Sequence, residues 1–484
     1  MRGNENTFPK ELRTSVEKNL VALSRLAATQ FRLDAPAFLS QEHLAVSMPS
    51  TLESQPLSVL ADVFTVYIQS PILAYVLPFA QSRPYMTTSE LAEYQTRHAP
   101  HVSLIADPRL LEWQIKQGTI VVSRSGRVGE AYWVDRKLDG ALVGDSFRVV
   151  PKNPSEAPLI FAVLASSFAR SFLSGSAYGS VVDHASLAQL RSFRVPQLTP
   201  ATKEKIADMI TKALVAREKA YQLLDQTQES ILTHCDLPPL SGHPGLVGGS
   251  EIIPVMVASK DLVEAPTGRS DLRLEAHFYN AAARNATANI LKCPCRKRTI
   301  GDVTKKIGMS PLFVRNYVTR DHGVPYIAGK QISQIRPEFK FISRTETQDL
   351  EEHILHAGWT LMTCAGTVGK IGYVSPLLDG AAAQDVMRIV PDDREVDGGY
   401  LNAWLASEYG RVLIERCKYG SVVDRISPSQ TASILIPLPS HVQQKDIGDK
   451  VRLAYEQRTE ALRFEDEAQE ALMRELSETG AKEN

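Results

Sequence analysis

The chain has 484 residues, a formal net charge of −1, 43% hydrophobic and 23% charged residues, the balance of an ordinary globular protein with room for about two to four domains. A net charge of −1 neither supports nor excludes a nucleic-acid partner, which would need a basic face that totals do not show. The apolar run around Ile72 to Ala80 is shorter than a bilayer span and broken by proline, and Met1-Arg2 leads into a polar stretch, so no membrane contact and a cytoplasmic location are expected.

Residues 1 to about 30 carry Leu12, Val16, Leu20, Leu23 and Leu26 at three-to-four spacing, which predicts one amphipathic helix. Short mixed elements follow. Gly118 to Ser123 is rich in β-branched residues and reads as a strand, Ser125 to Gly129 as a glycine-bearing loop, Ala131 to Val134 as the start of the next strand, and Phe147 to Val150 as a strand stopped by Pro151. Leu159 to Leu173 has helical spacing and is expected to form one helix closing near Gly175.

After Pro196 the pattern changes. Thr199 can cap a helix that Pro200 opens, and residues 201 to about 234 contain no glycine or proline. Ile206, Met209, Ala213, Ala216, Ala220, Leu223 and Thr227 recur on a seven-residue repeat, predicting a rod of roughly 50 Å. Leu237-Pro238-Pro239 and Ser241 to Ser250 then read as a linker.

The second half repeats the first. Tyr178-Gly179-Ser180-Val181-Val182-Asp183 returns as Tyr419-Gly420-Ser421-Val422-Val423-Asp424, 241 residues later. Gly118, Gly126, Gly129, Asp139, Asp145 and Arg148 return as Gly358, Gly366, Gly369, Asp379, Asp385 and Arg388 at an offset of 240, and Leu164-Ala165-Ser166 as Leu405-Ala406-Ser407 at 241. A colinear series of this kind marks a structural unit used twice. The second rod, about 441 to 476, places Ile447, Ala454, Ala461, Phe464 and Ala468 in the register of the first. Small alanines at the seam let two helices approach closely, so the rods are expected to pack on each other, antiparallel if a twofold relates the halves.

Catalytic motifs are incomplete. Cys364-Ala365-Gly366-Thr367-Val368-Gly369-Lys370 has two residues between its glycines where a phosphate loop needs four, and Ile371 where the magnesium-binding hydroxyl belongs. Pro391-Asp392-Asp393 is matched in the first half by Pro151-Lys152-Asn153, so a turn explains it better than a nuclease cluster. Asp236-Leu237-Pro238-Pro239 is not a methyltransferase loop, because Leu237 interrupts it. Cys293-Pro294-Cys295 lacks the two further ligands of a tetrahedral metal site, and the five cysteines have no counterparts across the repeat. No catalysis, metal or cofactor is expected of this chain.

The repeated loops suit binding instead. Tyr178 and Tyr419 can stack, and Ser180 and Ser421 can donate to phosphate, although the same loops would serve equally as tight connections beside a helix. Arg124 and Arg127 sit in the first glycine loop where Thr367 and Lys370 occupy the second, as two related readers of different sequences would show. Arg83 beside Pro84-Tyr85, and Arg315, Arg320 and Lys330 around Pro325-Tyr326, add basic reach.

Val324-Pro325-Tyr326-Ile327 with Gln331-Ile332, then Gly358 to Gly372, then Tyr419 to Pro439 and a long helix, resembles the specificity subunit of type I restriction-modification systems. The likeness runs over nearly the whole chain. The expected fold is α+β, with two pseudo-twofold-related α/β target recognition domains separated by two long antiparallel helices. Residues 1–198 would hold the leading helix and first domain, 199–236 the first spacer helix, 237–250 a linker, 251–439 the second domain and 440–478 the second spacer helix. The resemblance implies a non-catalytic reader of a bipartite double-stranded DNA site for phage defence. It implies docked DNA methyltransferase subunits in two copies, which would carry S-adenosylmethionine, and a restriction/translocase subunit where cleavage follows. A pseudo-symmetric adaptor that recruits two copies of a protein without touching DNA is the alternative.

Overall fold

The computed structural model describes residues 52–76, 80–93, 99–175, 184–240, 276–310, 312–420 and 422–481. The helix expected over residues 1 to 30 lies outside them, as do Tyr178, Ser180 and Ser421.

The first unit contributes β1 (Ser54–Pro56), β2 (Ala61–Thr65), β3 (Tyr75–Val76), β4 (Ser82–Met86), β5 (His101–Ser103), β6 (Ile120–Ser123), β7 (Ala131–Trp133), β8 (Leu142–Val143), β9 (Ser146–Pro151) and β10 (Arg194–Pro196). One sheet has the order β2-β9-β6-β7 and is antiparallel throughout. Its inner strand β6, Ile-Val-Val-Ser, is buried on both faces, as a run of β-branched residues between two sheet neighbours should be. A second sheet runs β3-β5-β4-β8, with β4 and β8 parallel.

The second unit repeats this topology with β11 (Arg296–Thr299), β12 (Thr304–Met309), β13 (Gly323–Ile327), β14 (Lys340–Ser343), β15 (Thr360–Thr363), β16 (Ile371–Tyr373), β17 (Ala382–Ala383), β18 (Val386–Pro391) and β19 (Leu435–Leu438). The order β12-β18-β15-β16 matches the first sheet strand for strand, and β14-β13-β17 keeps the parallel pair. Small contacts are duplicated too. Asp139 Oδ1 accepts from Gln117 N at 2.9 Å, and Asp379 Oδ1 from Ala357 N at 2.9 Å. Lys292 to Arg298, the densest basic run, belongs to this frame: β11 pairs with β19, Arg296 meets Glu395, and Lys297 Nζ donates to the Cys293 carbonyl.

The helix expected over Leu159 to Leu173 is two helices, α1 (Ala157–Leu164) and α2 (Ser167–Gly175), bent by 66°. Ser166 causes the break. Its buried hydroxyl donates to the Val163 carbonyl at 2.6 Å and accepts from Ala169 N at 3.1 Å, ending one helix and capping the next. The repeated Leu-Ala-Ser motif therefore encodes a corner. Ser407 does the same between α5 (Gly398–Leu405) and α6 (Glu408–Cys417), which follow α4 (Ala281–Lys292).

Two rods join the units. Helix α3 runs from Pro200 to Cys235, capped by Thr199, and α7 from His441 to Ala481. They are antiparallel: Thr199 Oγ1 meets Glu475 at 3.0 Å, Arg217 meets Glu465, and Lys450 Nζ meets Ser230 Oγ at 3.4 Å. At the crossing Ala213 packs with Ala461, and Ala220 with Ala454. These are equivalent pairs, since 213 maps to 454 and 220 to 461 in the repeat register. Met209, Leu223 and Phe464 are only half-buried beside this seam.

Each rod also completes both cores. Ile206 and Ile210 from the start of α3 join Ala468, Leu472 and Leu476 from the end of α7 in the core of the first unit. Ile447, Val451 and Tyr455 from α7 join Ile231, Cys235, Leu237 and Leu240 in the core of the second. Two residues of the expected linker, Leu237 and Leu240, are thus core, while Pro238 and Pro239 between them are exposed.

Candidate nucleic-acid interface

The exposed pole of each unit is built on the same aspartate. Asp145 and Asp385 follow the short strands β8 and β17, and both hold positive φ, 40° and 60°, which is unusual for residues other than glycine. In the first unit Arg124 Nη1 donates to Asp145 Oδ1 at 2.9 Å, and Ser125 Oγ to Oδ2 at 2.5 Å. In the second, Arg315 Nη2 donates to Asp385 Oδ2 at 3.2 Å and its Nε to Gln384 Oε1 at 2.5 Å, while the guanidinium lies 5.7 Å from the Tyr326 ring centre.

The repeat relates Tyr85 to Tyr326, and each phenol lies within electrostatic reach of the aspartate of its own pole. Burial raises the pKa of both phenols, reinforced at Tyr85 by Tyr75, Glu90 and Asp145 and at Tyr326 by Tyr317 and Asp385, with Arg315 opposing the shift. Behind each pole lies a buried arginine. Arg148 donates to the Trp113 carbonyl at 3.1 Å, and also to the Val143 carbonyl and Ser146 Oγ. Arg388 donates to the Glu352 carbonyl. Burial pushes Arg148 down to about 10. These arginines tie the 3-10 turns Pro108–Trp113 and Leu350–His353 to the main sheets.

Around the second pole the loops converge. Cys364 Sγ reaches the Asp385 carbonyl at 3.8 Å, Ala365 bridges Arg425, and Tyr419 bridges Arg425 as well. Met309, Leu312, Val314 and Tyr317 are exposed on the neighbouring segment. Tyr419 is exposed in its tight connection, and Arg320 stands exposed in a 3-10 turn. The Thr367 carbonyl accepts from Thr363 Oγ1, and Thr367 itself is exposed. The glycine loops are packing devices at one position each. Gly129 and Gly369 have φ of +85° and +92°, and a Cβ there would meet Leu173 Cβ at 3.2 Å or Ile414 Cγ2 at 3.0 Å.

Other expected site residues face elsewhere. Arg83 donates to the carbonyls of Ala80 and Ser82 at 3.0 and 2.8 Å. Arg127 pairs with Glu130 at 3.1 Å and with Glu338 of the second unit at 2.9 Å. Lys370 pairs with Glu93 of the first. Lys330 lines a cavity of about 290 Å³ between the units, together with Arg127, Tyr132, Trp133, Arg170 and Glu338. The Asp145 and Asp385 anchors and the buried Arg148 and Arg388 were visible in the sequence only as members of the repeat. Among the described residues no group of His, Cys, Asp and Glu is placed to hold a metal, and no single helix is long and apolar enough to cross a membrane.

The fold and its poles define a duplicated, two-headed protein on a pseudo-twofold axis. No protein-family model matches the sequence, and no curated protein does. Among solved structures it is similar to the type I restriction-modification system S subunit from M. genitalium, at 12% identity over 90% of this chain and 97% of that one, with a TM-score of 0.32. It is also similar to the HsdS subunit from Thermoanaerobacter tengcongensis, at 14% identity over 90% and 97%, with a TM-score of 0.26. A third similar chain comes from a structure concerned with complex assembly and conformational transition of the type I R-M system, at 14% identity over 89% and 99%, with a TM-score of 0.27.

Proposed function

We propose that this chain is the sequence-specific DNA-recognition subunit of a restriction-modification or related phage-defence methylation complex in the cytoplasm. Each unit reads one half of a bipartite site, residues 199–236 and 440–478 set the spacing, and the chemistry belongs to docked DNA methyltransferase subunits that bind S-adenosylmethionine. The observation that carries this reading is that two equivalently folded units, related by a pseudo-twofold, each present an arginine–aspartate pole at the same place, with the arginine supplied by a different segment. Duplex DNA is itself twofold in its backbone, so two inverted readers meet equivalent phosphate geometry on opposite strands while their differing side chains face different bases. Arg124, Arg315, Arg320, Thr367 and Tyr419 would face the duplex. Tyr178, Ser180 and Ser421 of the repeated loops would join them, whereas Arg83, held by the Ala80 and Ser82 carbonyls, and Lys330, in the cavity between the units, would not.

The test is to exchange residues 35 to 195 for those of another recognition domain and map methylated sites in the presence of the methyltransferase subunit. One half-site should change and the other stay. An unchanged methylome refutes the reading. Partner binding with no salt-sensitive shift of a duplex would favour a protein adaptor instead.

A further inference from the structure

The two poles reach the same chemistry by different routes. Asp145 and Asp385 are retained between the halves, whereas the arginines are not: Arg124 opens the first glycine loop, where the repeat places Cys364 in the second, and Arg315 lies on the segment that follows β12. A duplicated frame that keeps an aspartate and supplies its arginine twice, independently, has kept a pair rather than a packing contact. Fold stability does not explain the pair. The Asp145 and Asp385 side chains are 51% and 55% exposed, and ion pairs that open to water contribute little.

What such a pair provides is orientation. An arginine alone samples many rotamers, while one held by a fixed carboxylate presents its remaining N–H groups as a planar fork. Arg315 is the more constrained: Nε is taken by Gln384 and one N–H of Nη2 by Asp385, which leaves Nη1 and the rest of Nη2 as an end-on fork. Arg124 uses Nη1 on Asp145 and leaves Nη2 and Nε. The base edge that matches a two-donor fork is the guanine O6 and N7 pair in the major groove.

Resting on the DNA-recognition reading above, we propose that the poles are guanine readers: Arg124, positioned by Asp145, reads one guanine in the first half-site, and Arg315, positioned by Asp385 and Gln384, reads one in the second. Arg124 and Arg315 make the base contacts. Asp145, Asp385 and Gln384 are positioning residues.

The experiment uses the full chain with its methyltransferase subunit on a library of randomised duplexes, reading out every methylated site. The wild-type motif should contain a guanine in each half. Arg124→Lys keeps the charge and loses the fork, so it should relax one guanine position in one half-site by roughly 5- to 150-fold, leaving the other half and the spacer intact. Asp145→Asn should relax the same position more weakly. Arg315→Lys and Asp385→Asn should do this in the other half, and melting curves establish that each variant is folded. A motif without guanine in either half, or one unchanged in folded Arg124→Lys and Arg315→Lys proteins, overturns the assignment. A uniform fall in methylation with an unchanged motif also overturns it, by making the arginines phosphate contacts. If exchange of the whole first unit still redirects one half-site, the DNA-recognition reading survives that failure; if it does not, both fail.

Discussion

Glu93 and Gln334 face each other as an antiparallel bridge, and they stand 241 residues apart, the offset of the repeat. A residue can pair with its own counterpart only on the axis that relates the two copies. The backbone contact continues beside it, where Ile335 N donates to the Ala92 carbonyl at 2.6 Å, and Arg458 of α7 donates to the Gln334 carbonyl at 2.8 Å. The units therefore touch each other over the middle of the rods, where Ala213, Ala220, Ala454 and Ala461 cross. Their separation is fixed twice, by the length of the rods and by this contact.

The ion pairs at the axis test that second constraint. Lys370 and Glu93 are 21% and 13% exposed, so losing one partner leaves the other charge poorly solvated. Lys370→Ala should lower stability by about 1–3 kcal/mol in urea denaturation, discounted from a sealed pair because water reaches it. The charge-exchanged protein, Lys370→Glu with Glu93→Lys, should regain most of the loss. Single effects that merely add would show that the pair is not coupled.

The glycine loops offer a paired comparison. Gly126 and Gly129 both hold positive φ, but a Cβ at Gly126 meets nothing within 4 Å, while one at Gly129 meets Leu173 Cβ at 3.2 Å and Arg170 Cα at 3.3 Å. Gly126→Ala should cost about 1–2 kcal/mol for the left-handed backbone alone. Gly129→Ala adds a displaced helix α2 and should cost about 1–3 kcal/mol more. Equal melting temperatures for the two variants would contradict this account.

Core residues contributed from afar should act at a distance in sequence. Leu472→Ala, near the end of α7, should destabilise the protein by about 2–5 kcal/mol. Hydrogen exchange should then quicken in β6 of the first unit, more than 300 residues upstream. Ile231→Ala, in α3, should produce the mirror result in β15. Loss of protection confined to the rods would count against the shared cores.

Asp107 sets an acid limit on one loop. Its carboxylate accepts from Arg109 Nε and Nη2 at 2.8 Å each and from Ile72 N at 3.1 Å. The Arg109 hydrogen bonds chiefly hold its pKa at about 2, below the usual 3.8. A depressed folded value means the contribution is complete above the unfolded pKa and fades as pH falls from about 4 toward 2. Asp107→Asn should therefore flatten that part of the stability–pH curve, measured by urea denaturation between pH 5 and 2.5. An unchanged slope would show that Asp107 is not responsible.

Much of this architecture is legible in the sequence because duplication and periodicity are long-range signals. The first rod follows from residues 201 to 234, which lack glycine and proline, the close packing of the two rods from alanines spaced by seven, and their antiparallel sense from a twofold relation of the halves. The corner at Ser166 is not legible, because the apolar spacing from Leu159 to Leu173 continues across it and only the buried hydroxyl interrupts the backbone bonds. The site is partly legible. Arg124 and Arg315 stand out as charges on loops, but Arg127 and Lys370 have the same local character and turn instead to the opposite unit. What distinguishes them is the position of carboxylates hundreds of residues away, which no local pattern records.

The shared cores also bear on how the protein is made. A ribosome releases Ser54 to Leu198 long before Ala468, Leu472 and Leu476, yet these last residues fill the interior of the first unit. That unit emerges with an unfilled apolar face and must wait until Ala468, Leu472 and Leu476 are translated, a vectorial delay that gives chaperones a defined surface to hold.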